Sequence, residues 1–193
     1  MKHTILSGSS RKNSTTLLVA KAIRRVLHES GETEIELVDF EDYDIPFFNQ
    51  DIDVNHLSAF QQRLMHSMSA ADSIILVTPE YNWFPSAEIV HLVHRMADTE
   101  YSSMWDNKVF SFVGVSTGRG GRMPTVQMGY VVDKIINVMN FDSVTNPKSF
   151  EVQFAKKVLD AEGNSLGNHE FDQGLRSFVD YHNKLSKRWL KNS

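Results

Sequence analysis

Short apolar runs alternate with longer segments of helical periodicity along the whole chain. Residues 4–7, 35–38, 73–78, 109–115 and 150–152 have the character of β-strands. The run at 73–78 is almost continuously apolar, which is typical of a central strand covered on both faces, whereas 35–38 alternates like an edge strand. We therefore predict five strands connected by helices.

Between these runs, apolar residues recur at the three- and four-residue spacing of amphipathic helices. A helix should begin near Pro85, where proline fits the first turn, and continue to Met96. The same periodicity predicts four further helices, over 17–27 (ending near Gly31), 57–68, 126–138 and 171–189.

Repeated alternation of strands and helices indicates parallel strands with helices on both faces of the sheet. Five strands suit the α/β flavodoxin-like doubly wound order 2-1-3-4-5. The 193 residues contain no repeat or linker and match the size of one domain. We predict a single domain over residues 1–193.

Composition narrows the possible functions. The chain has no cysteine, which excludes disulfides, thiolate metal sites and a cysteine nucleophile. A formal net charge of −4 argues against a nucleic-acid partner, although the GRGGR letters at 118–122 resemble an RNA-binding box. No apolar run approaches the ~18 residues of a membrane span, and the first residues lack a signal-peptide pattern. We expect a cytoplasmic protein with no membrane partner.

Three loops have the most unusual residue composition in the chain, and they follow predicted strands one, three and four, at 7–16, 78–85 and 116–122. In a doubly wound sheet, ligands bind beyond the carboxyl ends of the strands, where the strand order reverses. That position lies between the first and third strands. The three loops should therefore meet at one ligand site.

The loop at 7–16 has the residue types that bind phosphate. Glycine and small hydroxyl residues let backbone N–H groups converge at the positive end of the following helix. Ser9, Ser14 and Thr16 add hydroxyl donors, and Arg11 adds a forked cation suited to phosphate oxygens. An N-capped helix start with a solvated arginine is the alternative.

The other two loops suit a flat ring. Tyr81, Trp83 and Phe84 offer apolar surface beside the polar Glu80 and Asn82, although a capped turn with surface aromatics has the same composition. The glycines of 116–122 let the backbone approach a ligand closely. A metal site is not predicted, because the nearby Glu88, His91 and His94 lack the HExxH spacing and diverge around their helix.

Taken in order, the three loops resemble those of the NADPH-dependent FMN reductase family, which includes flavin, quinone, azo-dye and chromate reductases. Residues 7–14 resemble the family's GSxRxxS phosphate loop, and 78–82 match its TPEYN isoalloxazine loop. Residues 116–121 are similar to its S-x-G-(x)-x-G-G loop. Family members commonly place a small residue after the TPEYN asparagine, where this chain has Trp83.

The resemblance implies an FMN-dependent oxidoreductase that passes reducing equivalents from NADPH or NADH to a small acceptor, such as a quinone, free flavin, azo compound or metal oxyanion. It also implies a homodimer or homotetramer. The cofactor carries the chemistry, so no catalytic side chain is nominated. A non-catalytic flavin-binding sensor or regulatory module is the alternative. The expected cofactor-binding residues are Ser9, Arg11, Ser14, Thr15, Thr16, Pro79, Glu80, Tyr81, Asn82, Trp83, Ser116, Gly118, Gly120 and Gly121.

Overall fold

A parallel β-sheet forms the centre of the molecule, which is described by a computed structural model over residues 1–190. The strand order is β2-β1-β3-β4-β5, with β6 also paired to β4, and every pairing is parallel. The predicted flavodoxin-like order is therefore confirmed. The strands are β1 (Lys2–Ser7), β2 (Glu34–Asp39), β3 (Ser73–Pro79), β4 (Val109–Val115), β5 (Val144–Thr145) and β6 (Phe150–Val152).

Helices connect the strands and cover both faces of the sheet. Two short 3-10 helices, Phe40–Asp42 and Thr99–Met104, were not predicted. Within residues 1–190, no helix combines the length and apolar character needed to cross a bilayer. The α-helices are α1 (Thr15–Glu29), α2 (Ala59–Ala70), α3 (Ala87–Met96), α4 (Arg122–Met139), α5 (Ala155–Val158) and α6 (His169–Leu190).

Two apolar cores lie on opposite faces of the sheet. Ile74 and Leu76 of β3 pack with α2, α3 and α4, whereas Ile75 and Val77 pack with α1 and α6. All seven residues of β3 are buried, and so are all seven of β4. This two-sided burial explains the continuous apolar runs in the sequence.

The fifth position of the sheet differs in detail from the prediction. Two short strands share it, because β5 pairs with the start of β4 and β6 pairs with its end. Between them, Pro147 has no N–H to donate, and Asn146 turns its amide inward to Ser111. These residues interrupt a strand that would otherwise continue from 144 to 152.

Serine N-caps define where two helices begin more precisely than the apolar periodicity of the sequence predicted. Ser86 caps α3 by accepting from the Ile89 N–H, so the helix begins after Pro85. Ser58 and Gln61 form a capping box at the start of α2, which leaves Leu57 outside the helix.

Candidate active site

The loops that follow β1 and β3 meet at the carboxyl edge of the sheet. The Ser9 hydroxyl lies 3.2 Å from the Tyr81 hydroxyl. The Arg11 guanidinium carbon lies 4.4 Å from the centroid of the Tyr81 ring, a cation–π contact between the two loops. The predicted juxtaposition of these loops is therefore present.

A cavity of about 310 Å³ lies between these loops. Eight of the predicted cofactor-binding residues line it: Ser9, Arg11, Ser14, Thr15, Thr16, Pro79, Glu80 and Tyr81. Lys12, Asn13, Val115, Thr117 and Lys156 complete the lining. The lining does not include Asn82, Trp83, Ser116, Gly118, Gly120 or Gly121.

The start of α1 lines this cavity with Ser14, Thr15 and Thr16. The Ser14 hydroxyl caps the helix by accepting from the Leu17 N–H at 3.1 Å. Thr16 is only 1% exposed, yet its hydroxyl has no hydrogen-bond partner in the protein. No acidic residue lies in this turn. An orphaned buried hydroxyl at a helix N-terminus is what a bound phosphate would satisfy, because the N–H groups and the helix dipole there favour an anion.

Lys156 is a cavity residue that sequence reasoning missed. It lies on α5, which is held near the loop after β4 by two backbone bonds, Phe154 N–H to Gly118 O (3.0 Å) and Ala155 N–H to Ser116 O (3.1 Å). A helix of four residues has too little periodicity to be predicted, and Lys156 and Lys157 look like an ordinary surface pair in the sequence. With Arg11 and Lys12, Lys156 makes the cavity cationic.

The loop after β1 is fixed against α3. The Gly8 N–H donates to the Val77 carbonyl at 2.9 Å, and the Ser86 hydroxyl donates to the Gly8 carbonyl at 2.5 Å. A β-carbon at Gly8 would overlap the Ile89 side chain, so only glycine allows this approach. The capping serine of α3 therefore also positions the candidate phosphate loop.

The loop after β4 is joined to the loop after β3 through Glu80. The Glu80 N–H donates to the Val115 carbonyl at 2.8 Å, and its carboxylate accepts from the Gly121 N–H at 2.5 Å. Gly121 has a φ of +100°, and its carbonyl lies where a β-carbon on Gly114 would be. Glu80 thus uses its charge to hold the neighbouring glycine loop in place.

The Glu88, His91 and His94 trio is divided among separate contacts. Glu88 accepts from the Ser10 hydroxyl, and His91 Nδ1 lies 2.8 Å from the Tyr43 hydroxyl. Burial raises the pKa of Tyr43, so the phenol stays neutral. Burial, with Arg95 and His94 nearby, lowers the pKa of His91. Within residues 1–190, no group of three His, Asp or Glu side chains is arranged to hold a metal ion.

Trp83 lies on a tight turn that follows the cavity residue Tyr81. The turn brings the backbones of Tyr81 and Phe84 into mutual hydrogen bonds of 2.9 and 3.0 Å. The Trp83 side chain is 68% exposed and does not fill the cavity. The space between the two loops is therefore open to a ligand.

Together, the strand order and the cationic cavity at its reversal point define a flavodoxin-like protein with a site suited to a phosphorylated ligand. The model of the NADPH-dependent FMN reductase family matches residues 1–147. The chain belongs to this family. The predicted family is thereby confirmed, and FMN and NADPH are the cofactor and the electron donor that give this family its name.

Individual proteins give more distant likenesses. A quinone reductase of Pseudomonas putida is 28% identical over 117 residues, covering 61% of this chain and 61% of that protein. An NAD(P)H-dependent FMN reductase of Pseudomonas aeruginosa is 23% identical over 187 residues, covering 96% and 93%. The flavoenzyme NAD(P)H:(acceptor) oxidoreductase FerB from Paracoccus denitrificans has a TM-score of 0.76 at 19% identity, covering 97% of both chains. The alignment with the quinone reductase thus spans about three-fifths of that relative's length.

Proposed function

We propose that this protein binds FMN at the carboxyl edge of its sheet and catalyses the reduction of a small acceptor by NADPH or NADH. Membership of the FMN reductase family supports the cofactor and the electron donor. The quinone reductase relative makes a quinone the first acceptor to test. In the net reaction, NAD(P)H gives up a hydride to become NAD(P)⁺, and a quinone takes up these two electrons and one proton, with a second proton from solvent, to become a hydroquinone.

The observation that carries this proposal is the buried, unpartnered hydroxyl of Thr16 in the cavity at the start of α1. A buried polar group without a partner destabilises the folded protein unless a ligand uses it. Here it lies among Ser9, Ser14 and the cations Arg11 and Lys156. A phosphate monoester matches both the charge and the donors of this arrangement.

Each of the three loops then has a task. Ser9, Arg11, Ser14, Thr15 and Thr16 would hold the FMN phosphate. The isoalloxazine would lie beside two sets of residues, Pro79, Glu80, Tyr81, Asn82 and Trp83 on one side, and Ser116, Gly118, Gly120 and Gly121 on the other. When bound, FMN supplies the ability to take a hydride from a nicotinamide and pass its two electrons on. The protein would contribute orientation and anchoring.

The proposal extends to assembly and location. We propose a homodimer or homotetramer, supported by an apolar cavity of about 430 Å³ between α3 and α4 that a second copy could cover. Tyr130 and Val126 on this surface are 72% and 53% exposed. A cytoplasmic location is proposed because NADPH and NADH are available there.

Replacing Thr16 with valine tests the proposed cofactor site. The variant removes one hydroxyl and keeps the shape, so the dissociation constant for FMN should rise about tenfold or more, the effect of a lost hydrogen bond to a charged group. The free energy of unfolding of the cofactor-free protein should stay the same or increase, because the lost hydroxyl has no protein partner. FMN titration and urea denaturation measure the two quantities.

Thr4→Val is the matched control. Thr4, on β1, is as buried as Thr16, since both are 1% exposed. Unlike the Thr16 hydroxyl, the Thr4 hydroxyl has a partner, because it donates to the Ser67 carbonyl at 2.8 Å. This variant should lose about 1 kcal/mol of stability and keep its FMN affinity. A wild-type protein that is colourless and takes up no FMN would refute the proposal. A yellow protein that does not oxidise NADPH, even with a quinone present, would favour the sensor alternative.

A further inference from the structure

The turn at 81–84 has a backbone geometry that its sequence does not favour. Tyr81 and Phe84 exchange two backbone hydrogen bonds, and the two central residues have positive φ, +53° at Asn82 and +71° at Trp83. This is the geometry of a type I′ turn, in which asparagine then glycine is the preferred pair. Asn82 occupies the first of these two positions, but the second, which favours glycine, is occupied by Trp83, with the largest side chain of any residue.

Tryptophan in the left-handed region is a strained choice, because its β-carbon crowds the backbone. Such strain persists where other interactions fix it, and it is concentrated at ligand sites. Burial within the chain does not compensate for it here, since Trp83 is 68% exposed. The explanation for an indole at this position therefore lies outside the folding of this turn.

Trp105 shows what a structural tryptophan looks like in the same protein. It is fully buried, donates its indole N–H to the Met96 carbonyl at 2.7 Å and stacks on Phe110 at a centroid distance of 5.7 Å. Trp83 has none of this burial. Its ring is available for stacking on something that the chain does not supply.

The position of the turn suggests what that partner is. Trp83 lies two residues from Tyr81, whose side chain lines the cavity and contacts Ser9 and Arg11. An exposed indole offers a large flat apolar face, and such faces stack best on other planar π-systems. A compact inorganic acceptor would gain little from it.

We infer that Trp83 is a specificity-determining residue, whose indole stacks on planar aromatic acceptors and favours them over compact ones. The inference rests on the proposed function. It selects among the acceptors considered above, favouring quinones, flavins and azo compounds over metal oxyanions. The conformational strain of the turn is then the cost of presenting the ring to an acceptor two residues beyond Tyr81.

A comparison of the variants Trp83→Gly and Trp83→Phe tests this inference. Glycine suits a φ of +71° and removes the ring, whereas phenylalanine keeps a flat ring. With NADPH as donor, we compare kcat/KM for menadione, a planar naphthoquinone, with kcat/KM for ferricyanide, of which two ions consume one NADPH. The menadione-to-ferricyanide ratio should fall five- to tenfold in Trp83→Gly, through KM for menadione, and recover most of its value in Trp83→Phe. Tyr181→Ala, which removes an exposed aromatic ring from α6, should leave the ratio unchanged.

Two readouts do not depend on turnover. Menadione added to the oxidised protein without NADPH should quench tryptophan emission in the wild type and lose most of that effect in Trp83→Gly. The cofactor-free Trp83→Gly protein should melt at the same temperature as the wild type or higher, because the turn is relaxed. A substantially lower melting temperature would show that the indole serves the fold and would overturn the inference.

Other outcomes separate the possible failures. If Trp83→Gly holds FMN like the wild type but the menadione-to-ferricyanide ratio is unchanged, the inference fails and the proposed function stands. If only KM for NADPH rises, the ring serves the nicotinamide and the assignment to the acceptor is wrong. A change of oligomeric state without a change of ratio would show that Trp83 belongs to a subunit contact. If neither protein binds FMN, the proposed function fails and this inference fails with it.

Discussion

The two ends of the sheet use the same polar residue types in opposite ways. In the amino-terminal half, His3 Nδ1 lies 2.7 Å from the Ser73 hydroxyl, which lies 3.1 Å from His182 Nε2. His182 Nδ1 is 2.8 Å from the Ser111 hydroxyl, which accepts from Asn146 at 2.9 Å. These five buried side chains, the amino-end chain, partner one another.

At the carboxyl end, the buried hydroxyls of Ser9 and Thr16 belong to residues that line the cavity. The Thr16 hydroxyl has no protein partner, whereas the Ser9 hydroxyl accepts from the Arg11 N–H of its own loop and lies beside the Tyr81 hydroxyl. Buried polar groups that bond one another stabilise a fold, whereas an unpaired hydroxyl beside a cavity can bond an atom of a ligand. The difference teaches that partners, more than residue type, separate a structural serine or threonine from a binding one.

The largest effect should follow from His182→Ala, which breaks the amino-end chain. His182 is fully buried, so the variant leaves a cavity and removes a partner from both Ser73 and Ser111. The free energy of unfolding in urea should fall by about 3 kcal/mol or more. Lys184→Ala, on the exposed side of the same helix, should change it by less than about 0.5 kcal/mol. A loss under about 1 kcal/mol in His182→Ala would contradict the structural role.

A smaller effect should follow from acidification. Burial, with His3 adjacent, lowers the pKa of His182 from 6.5 to about 3, so the folded protein holds this ring neutral. Unfolding lets the ring take up a proton below about pH 6.5, and stability is therefore full above that pH and declines as pH falls toward 3. Burial also lowers the pKa of His3, in the same direction, although the hydrogen bond and charge of Glu32 oppose it.

Between pH 7 and pH 5, one such histidine should reduce the free energy of unfolding by about 2 kcal/mol. Urea denaturation across this range measures the decline. His182→Gln keeps hydrogen-bonding groups but cannot titrate. The slope of its free energy of unfolding against pH should therefore be shallower, by the amount that corresponds to the uptake of about one proton on unfolding. Equal slopes in the two proteins would mean that other groups produce the acid sensitivity.

The smallest of the three effects should come from Glu80→Ala, at the carboxyl end. Its carboxylate accepts a hydrogen bond from the Gly121 N–H, so the free energy of unfolding of the variant should fall by about 1.5 kcal/mol. The glycine loop after β4 should also become more mobile. Trypsin should then cleave faster after Arg119, which lies exposed in that loop. Glu162→Ala, at an exposed turn, is the control and should leave the cleavage rate unchanged. No acceleration would show that other contacts hold the loop.

Much of the fold could be predicted because burial leaves a direct trace in the sequence. The runs at 73–78 and 109–115 are apolar on both faces, and they form the centre of the sheet. The split between β5 and β6 could not be predicted, since it depends on the hydrogen bond from Asn146 to Ser111, a residue far away in the sequence. The extent of the domain and the identity of the cofactor-binding residues stay predictions.

The candidate site was predictable to the extent that it lies on contiguous loops. Ser9 and Tyr81 come from the two loops that the topology brings together, and both line the cavity. Lys156 could not be found, because a tertiary contact of α5 with the loop after β4 places it there. The amino-end chain was also missed, since nothing in the spacing of His3 and His182 shows that they meet.

The stacking of Arg11 on Tyr81 has a consequence for how ligands arrive. An aromatic ring orients the guanidinium without neutralising it, so its full charge remains beside those of Lys12 and Lys156. Although the chain has a net charge of −4, these three cations give the region around the cavity a local excess of positive charge. Long-range attraction of this kind concentrates dianions at the mouth of the cavity before any contact forms, and added salt weakens it within a Debye length of about 10 Å. Capture of the ligand is thereby tuned by the ionic medium as well as by the fit of the pocket.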